Sequence, residues 1–162
     1  EQLNCAAKKS NVLIVLKPHF AQDISYIQDL GLSNIRIISD AFFAEHHINS
    51  YAFVGASDAL ITDYSSIYFD YTLCGKPIAA VWEDIAEYQK KPGLVYNYEQ
   101  LMKGAEKIYS LDDLTAFVRR VSEGVDLLKV ERDEIRDFSN LSTDGQNSRR
   151  VADFILDKMK AN

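Results

Sequence analysis

The stretch Ala59-Leu60-Ile61-Thr62-Asp63-Tyr64-Ser65-Ser66-Ile67-Tyr68-Phe69-Asp70-Tyr71-Thr72-Leu73-Cys74-Gly75 decides the fold. Ala59–Thr62 is a short apolar run, the pattern of a strand buried on both faces in a parallel sheet. After the polar turn, Ser66–Cys74 has helical length, Gly75 is a suitable stop, and Pro77 stands just beyond. Ile78–Trp82 then repeats the strand signal. A strand, a helix and a second strand in succession make a right-handed βαβ unit.

The same alternation extends both ways. Val12–Leu16 and Ile35–Ile38 read as further strands, and Lys107–Tyr109 as a weaker one. Gln22–Leu30 and Ala44–Ala56 read as helices. Three more helices are predicted towards the end: one capped by Ser110 and running through Val121, one over Val125–Phe138, and one starting near Asp144–Asn147. In the last, Val151, Phe154, Ile155 and Met159 form one apolar stripe. Residues 89–106 are the most loop-like part. The expected fold is α/β, a Rossmann-like three-layer sandwich with a mostly parallel sheet, formed by residues 1–162 as a single domain.

Composition bounds the function. The chain has 162 residues, 47% hydrophobic and 11% aromatic, with a formal charge of -6. That length and apolar content support one domain with its own core and exclude disorder. The longest aliphatic run, Val12–Leu16, is far short of the roughly 20 residues that span a bilayer. No signal peptide is visible, and the absence of an initiator Met is expected of a piece of a longer protein. Cys5 and Cys74 are too far apart in sequence for a CxxC pair and read as reduced thiols of a cytosolic protein. Net acidity argues against nucleic acid as a partner, although Lys90-Lys91 and Arg149-Arg150 are local candidates for phosphate contacts.

Ligands of open parallel sheets bind beyond the carboxyl ends of the strands. After the first strand come Lys17, Pro18 and His19, two cationic side chains on a stiffened turn. After the third, Asp63, Ser65 and Ser66 open a helix whose unpaired N–H groups suit a phosphate. Plain helix capping by Ser65 or Asp63 explains the same residues. Glu83-Asp84 follows the fourth strand, where Asp84 is placed either to accept from a sugar or glycerol hydroxyl or to cap the next helix. His46-His47 sit on adjacent helical positions, diverge by about 100° and are unsuited to chelating one ion. The Glu131–Asp137 run, interleaved with Arg132 and Arg136, reads as a solvated helix face. No metal site or cofactor is expected.

The segment Leu60–Tyr71 closely resembles the signature of the CDP-glycerol glycerophosphotransferases, the primases and polymerases of wall teichoic acid. Lys17-Pro18-His19, Lys76-Pro77-Ile78, Asp84 with Glu87-Tyr88, Gly93 with Tyr98-Glu99, and Asp144-Gly145 with Arg149-Arg150-Val151 resemble further family motifs in the same order. The likeness covers about residues 12–160. Phe20, Pro92 and Lys103-Gly104-Ala105 depart from it, Pro92 standing where the family commonly has an Arg. Lys90 or Lys91 is the available substitute for that charge.

The resemblance implies a GT-B enzyme of two Rossmann-like halves, of which this chain is similar to the C-terminal, donor-nucleotide-binding half. It implies that His19, Ser65 and Ser66 meet the pyrophosphate of CDP-glycerol with Asp70 nearby, and Lys17, Asp63 and Asp84 complete the candidate substrate-binding set. The family's His-Gly motif, which carries the proposed base, belongs to the N-terminal half and has no counterpart here, so this piece is expected to bind donor without turnover. The implied reaction moves glycerol phosphate from CDP-glycerol to a teichoic-acid-type acceptor and releases CMP. The implied partners are the donor, the N-terminal half and a lipid-linked acceptor, with the whole enzyme peripheral at the inner face of the membrane. Two other readings fit the residues. One is the nucleotide-sugar domain of a GT-B glycosyltransferase. The other is a non-catalytic interaction domain whose Asp63–Ser66 turn is only a cap, worth about 1 kcal/mol.

Overall fold

A computed structural model describes residues 1–18, 30–88, 90 and 97–160. Its strands are β1 (Ile14–Leu16), β2 (Ile35–Ile37), β3 (Leu60–Thr62), β4 (Ile78–Val81) and β5 (Glu106–Ile108). The helices are α1 (Gln2–Lys9), α2 (Asp40–Glu45), α3 (Ser50–Ala56), α4 (Ile67–Thr72), α5 (Ile85–Tyr88), α6 (Tyr98–Leu101), α7 (Leu111–Ser122), α8 (Lys129–Ser139) and α9 (Asn147–Lys160). All five expected strands are present, and every pairing among them is parallel.

The strands do not form one sheet. β1 and β2 pair with each other, and β3, β4 and β5 make a separate sheet in that order. Ile78, Ala80 and Trp82 along β4 and just beyond it pack with Tyr68 and Tyr71 of α4, Met102, Ala105 and Ile135 of α8. Ala79 points the other way and joins Ile108 and Phe117 of α7, flanked by Leu114 and Val121. Side chains alternate across a strand, so β4 feeds two cores and is buried on both faces. For this three-stranded sheet the layered α/β arrangement holds.

Local chemistry sets most helix limits. Ser110 accepts from the Asp113 amide at 3.2 Å while the Asp113 carboxylate accepts from the Ser110 hydroxyl at 2.8 Å, so α7 starts where its cap predicts. Gly75 has φ of +63°, the left-handed conformation that closes α4 after Thr72. The helix expected over Ala44–Ala56 is instead two. His47 takes φ of +53°, and Asn49 caps α3 by accepting from the Ala52 amide at 3.0 Å. The His46 ring closes α2, stacking on Phe42 at 4.1 Å between centroids.

The helix expected over Val125–Phe138 starts only at Lys129, because the Asp126 carboxylate first takes the Leu128 amide at 3.3 Å. α1 and α6 were not expected from the pattern; both are short. α5 follows directly on Asp84, as one of the two readings of that residue has it. The predicted helix over Gln22–Leu30 falls almost wholly outside the described residues. α9 forms as expected, yet Val151, Phe154, Ile155 and Met159 are all exposed. No helix among the described residues is long and apolar enough to cross a membrane.

Candidate functional site at the carboxyl ends of β3 and β4

β3 ends at Thr62, and the chain turns through Asp63, Tyr64 and Ser65 into α4. The Asp63 carboxylate accepts from the Ser65 amide at 2.9 Å, an Asx turn that fixes the local bend. The Tyr68 and Phe69 amides bond back to the Ser65 and Ser66 carbonyls. The Ser66 and Ile67 amides have no backbone acceptor among the described residues. Ser66 occupies the N-cap position but its side chain makes no capping bond. Ser65 and Ser66 are both exposed. Asp63 therefore satisfies the turn, and both serine hydroxyls face solvent.

β3 and β4 are adjacent and parallel, so their carboxyl ends lie side by side. This brings Asp84 to the turn. Its carboxylate accepts from the Tyr64 hydroxyl at 2.8 Å, and its carbonyl takes the Glu87 and Tyr88 amides that start α5. The Tyr64 ring packs at a tilt against Tyr88 at 4.3 Å between centroids and meets Trp82 at 6.5 Å. From α6 the Tyr98 hydroxyl donates to the Tyr64 carbonyl at 2.6 Å. Burial, and then the bond to the Asp84 carboxylate, push the Tyr64 phenol well above its ordinary value. Tyr98 is raised chiefly by burial.

The other expected residues have different surroundings. Lys17 follows β1 and forms an ion pair with Asp40 at 2.7 Å, at the carboxyl end of the two-stranded sheet. Asp70 is exposed in the first turn of α4. His19 lies outside the described residues, as do Gly93, Pro92 and Lys91. Lys76, part of a motif singled out above, donates to the Gly55 and Ser57 carbonyls at 3.1 and 2.6 Å and so closes the C-terminal end of α3. Arg150 is held by Asp144 at 2.5 Å and Arg149 faces Asp153 at 3.8 Å.

One expectation is overturned. The Glu131–Asp137 run is not uniformly solvated: Arg132 is 1% exposed. Its guanidinium pairs with Asp126 and reaches the Gly104 carbonyl at 3.4 Å. Tyr64, Tyr88 and Tyr98 were quoted above only as members of motifs and given no part in the site. Their membership of those motifs is the sequence signal that could have singled them out.

Lys107 on β5 has an equally specific setting. Its ammonium donates to the Met102 and Ala105 carbonyls and sits 4.5 Å from the centre of the Trp82 ring. Burial pushes it down from 10.5 to about 8. Between those values the unfolded chain binds more protons than the folded one, so this group's contribution to stability rises with pH. Tyr68, raised by burial from 10.0 to about 12, acts in the opposite direction above pH 10. Chemical denaturation is therefore expected to show stability rising between about pH 8 and 10, with a smaller rise in Lys107→Met. An identical slope in the variant would remove Lys107 as the cause.

Residues 1–157 match the family described as CDP-glycerol:poly(glycerophosphate) glycerophosphotransferase. The chain is 32% identical over 100 residues to the teichoic acid glycerol-phosphate primase of Bacillus subtilis strain 168, covering 62% of this chain and 25% of that protein. It is 32% identical over 108 residues to the teichoic acid ribitol-phosphate primase of Bacillus spizizenii, covering 65% and 26% respectively. A teichoic acid poly(ribitol-phosphate) polymerase of the same organism is 29% identical over 89 residues, 47% of this chain and 14% of the polymerase. The matched regions thus span about a quarter or less of the length of these relatives. No solved structure matches.

Proposed function

The chain belongs to the CDP-glycerol:poly(glycerophosphate) glycerophosphotransferase family, and from that premise we propose that it is the donor-binding domain of a teichoic-acid-type glycerophosphotransferase. The observation that carries this reading is the Asp63–Ser66 turn. Two exposed serine hydroxyls and two amides without backbone acceptors stand together at the carboxyl end of β3, beside the loop after β4. Such a group of donors suits the oxygens of a diphosphate.

In the proposed reaction, an acceptor hydroxyl attacks the phosphorus that bears the glycerol. The bond from that phosphorus to the bridging oxygen breaks, and CMP leaves with the electron pair. The acceptor's proton goes to a base outside this chain. Ser65 and Ser66 hold the diphosphate and stabilise charge on the departing CMP, a contribution of positioning and electrostatics. Lys17 and His19 are proposed as cations on the same diphosphate, and Asp70 as a neighbour of the bound donor. The acceptor is proposed to be lipid-linked, which places the whole enzyme at the inner face of the membrane.

Calorimetric titration with CDP-glycerol, CDP-ribitol, CDP, CMP and a UDP-sugar tests the reading. The cytidine diphosphates are expected to bind selectively, and Ser65→Ala with Ser66→Ala to weaken them by about thirtyfold. Because Ser66 makes no capping bond, the same double variant is expected to change stability by less than about 0.5 kcal/mol. Preference for the UDP-sugar would point to a glycosyltransferase. A loss of about 1 kcal/mol of stability with unchanged binding would mean that the turn is only a cap.

A further inference from the structure

α9 is a helix of 14 residues, and every one of them is exposed. A helix of that length is marginal in water unless it has a surface to pack on. At about 100° per residue, Phe154, Val151, Ile155, Met159 and Leu156 follow one another around one side of it, centred on Ile155. Arg150 stands just beyond one border of that face, and Arg149 and Lys160 stand just beyond the other. Asp153 and Asp157 take the opposite side. Lys158 lies inside the Phe154 border, its ammonium 5.5 Å from the centre of the Phe154 ring.

We infer that α9 docks on an anionic lipid surface, lying along it with the Ile155 face at the acyl boundary and the bordering cations among the headgroups. The layout of charge selects this occupant. Long basic side chains at the borders of an apolar face reach out to headgroup phosphates, while the two carboxylates are carried farthest from them. A second copy is a poorer match, because two such faces laid together would set cationic borders against each other. The helix is not long and apolar enough to cross a bilayer, which leaves the interface plane. Asp144 and Asp153 offset part of the charge of Arg150 and Arg149, at 2.5 and 3.8 Å. Lys158 and Lys160 have no ion-pair partner among the described residues. The chain's formal charge of -6 is screened beyond about 8 Å in physiological salt, so the lipid responds to the charges beside it. The inference uses α9 alone and does not rest on the donor-binding reading.

Co-sedimentation of the whole chain with vesicles tests the docking. Vesicles of phosphatidylcholine containing about a third phosphatidylglycerol are expected to take up the chain about tenfold more strongly than phosphatidylcholine alone, and salt is expected to remove the difference. Lys158→Gln with Lys160→Gln is expected to weaken uptake by the mixed vesicles about tenfold and to leave the neutral ones unchanged. Phe154→Gln with Ile155→Gln is expected to weaken both by about tenfold or more. Glutamine is a good helix former, and no residue of α9 belongs to either core, so these variants keep the helix and the fold.

A second measurement places the contact on α9. Phe154→Trp is expected to shift its fluorescence to the blue when mixed vesicles are added, because the new indole leaves water. Unchanged emission from a chain that does sediment with vesicles overturns the inference, since another surface would then make the contact. Wild type that sediments with neither vesicle overturns it as well. Sedimentation velocity separates the competing occupant: self-association lost in Phe154→Gln with Ile155→Gln, without vesicle uptake, would assign the face to a second copy and overturn the lipid assignment.

Discussion

Asp126→Ala is expected to lower the free energy of unfolding by about 3 kcal/mol or more. Arg132 is 1% exposed, whereas the Asp126 side chain retains 21% exposure at the mouth of the pair. The other recorded bond of the guanidinium is the 3.4 Å contact to Gly104, and its Nε has no partner among the described residues. Removing the carboxylate leaves a buried charge that cannot shed its proton, since an arginine stays ionised at any workable pH. Urea denaturation of wild type, Asp126→Ala and Asp126→Asn measures the effect. The asparagine keeps an oxygen acceptor and is expected to fall between the other two. Combining Asp126→Ala with Arg132→Met is expected to recover part of the loss, because an apolar chain needs no counter-ion there. Equal midpoints for wild type and Asp126→Ala would show that the pair contributes nothing.

Gly104→Ala is expected to cost about 3 kcal/mol, for a purely steric reason. A Cβ built on Gly104 would lie 2.6 Å from the Arg132 Cα and 2.9 Å from its Cβ and N. These are backbone or backbone-attached atoms of α8 and have no rotamer by which to yield. The loop before β5 and α8 would have to separate, opening the core around Met102, Ala105 and Ile135. Gly75→Ala is a useful contrast. It meets nothing within 4 Å and suffers only its φ of +63°, at about 1 kcal/mol. Thermal unfolding of the two variants side by side tests the distinction. A Gly104→Ala protein no less stable than Gly75→Ala would refute the close-approach account.

These two predictions concern features that pattern reading passed over. Arg132 stands within an alternating charge run, where every local signal says solvent. Its burial depends on α8 meeting the Gly104 loop, which no window around Arg132 contains. Gly104 itself reads as one glycine of a loop, and the contact that requires it comes from 28 residues away. Likewise, the α9 stripe has helical periodicity and forms a helix, but periodicity does not specify a covering partner. The break between α2 and α3 was visible in principle, since Asn49-Ser50 is a good cap. The apolar spacing on either side favoured one continuous helix.

The sequence by itself determined the five parallel strands, the Ser110 cap, the stop at Gly75 and the family signature at Leu60–Tyr71. All of these rest on interactions within a few residues, where side-chain alternation, cap chemistry and backbone freedom act directly. The tertiary structure alone decided that the strands divide into two sheets and that Arg132 is buried. It also decided that Asp84 and Tyr98 converge on Tyr64. Those outcomes depend on which elements become neighbours. Periodicity selects the face a residue occupies, whereas the packing of the whole chain selects what that face meets.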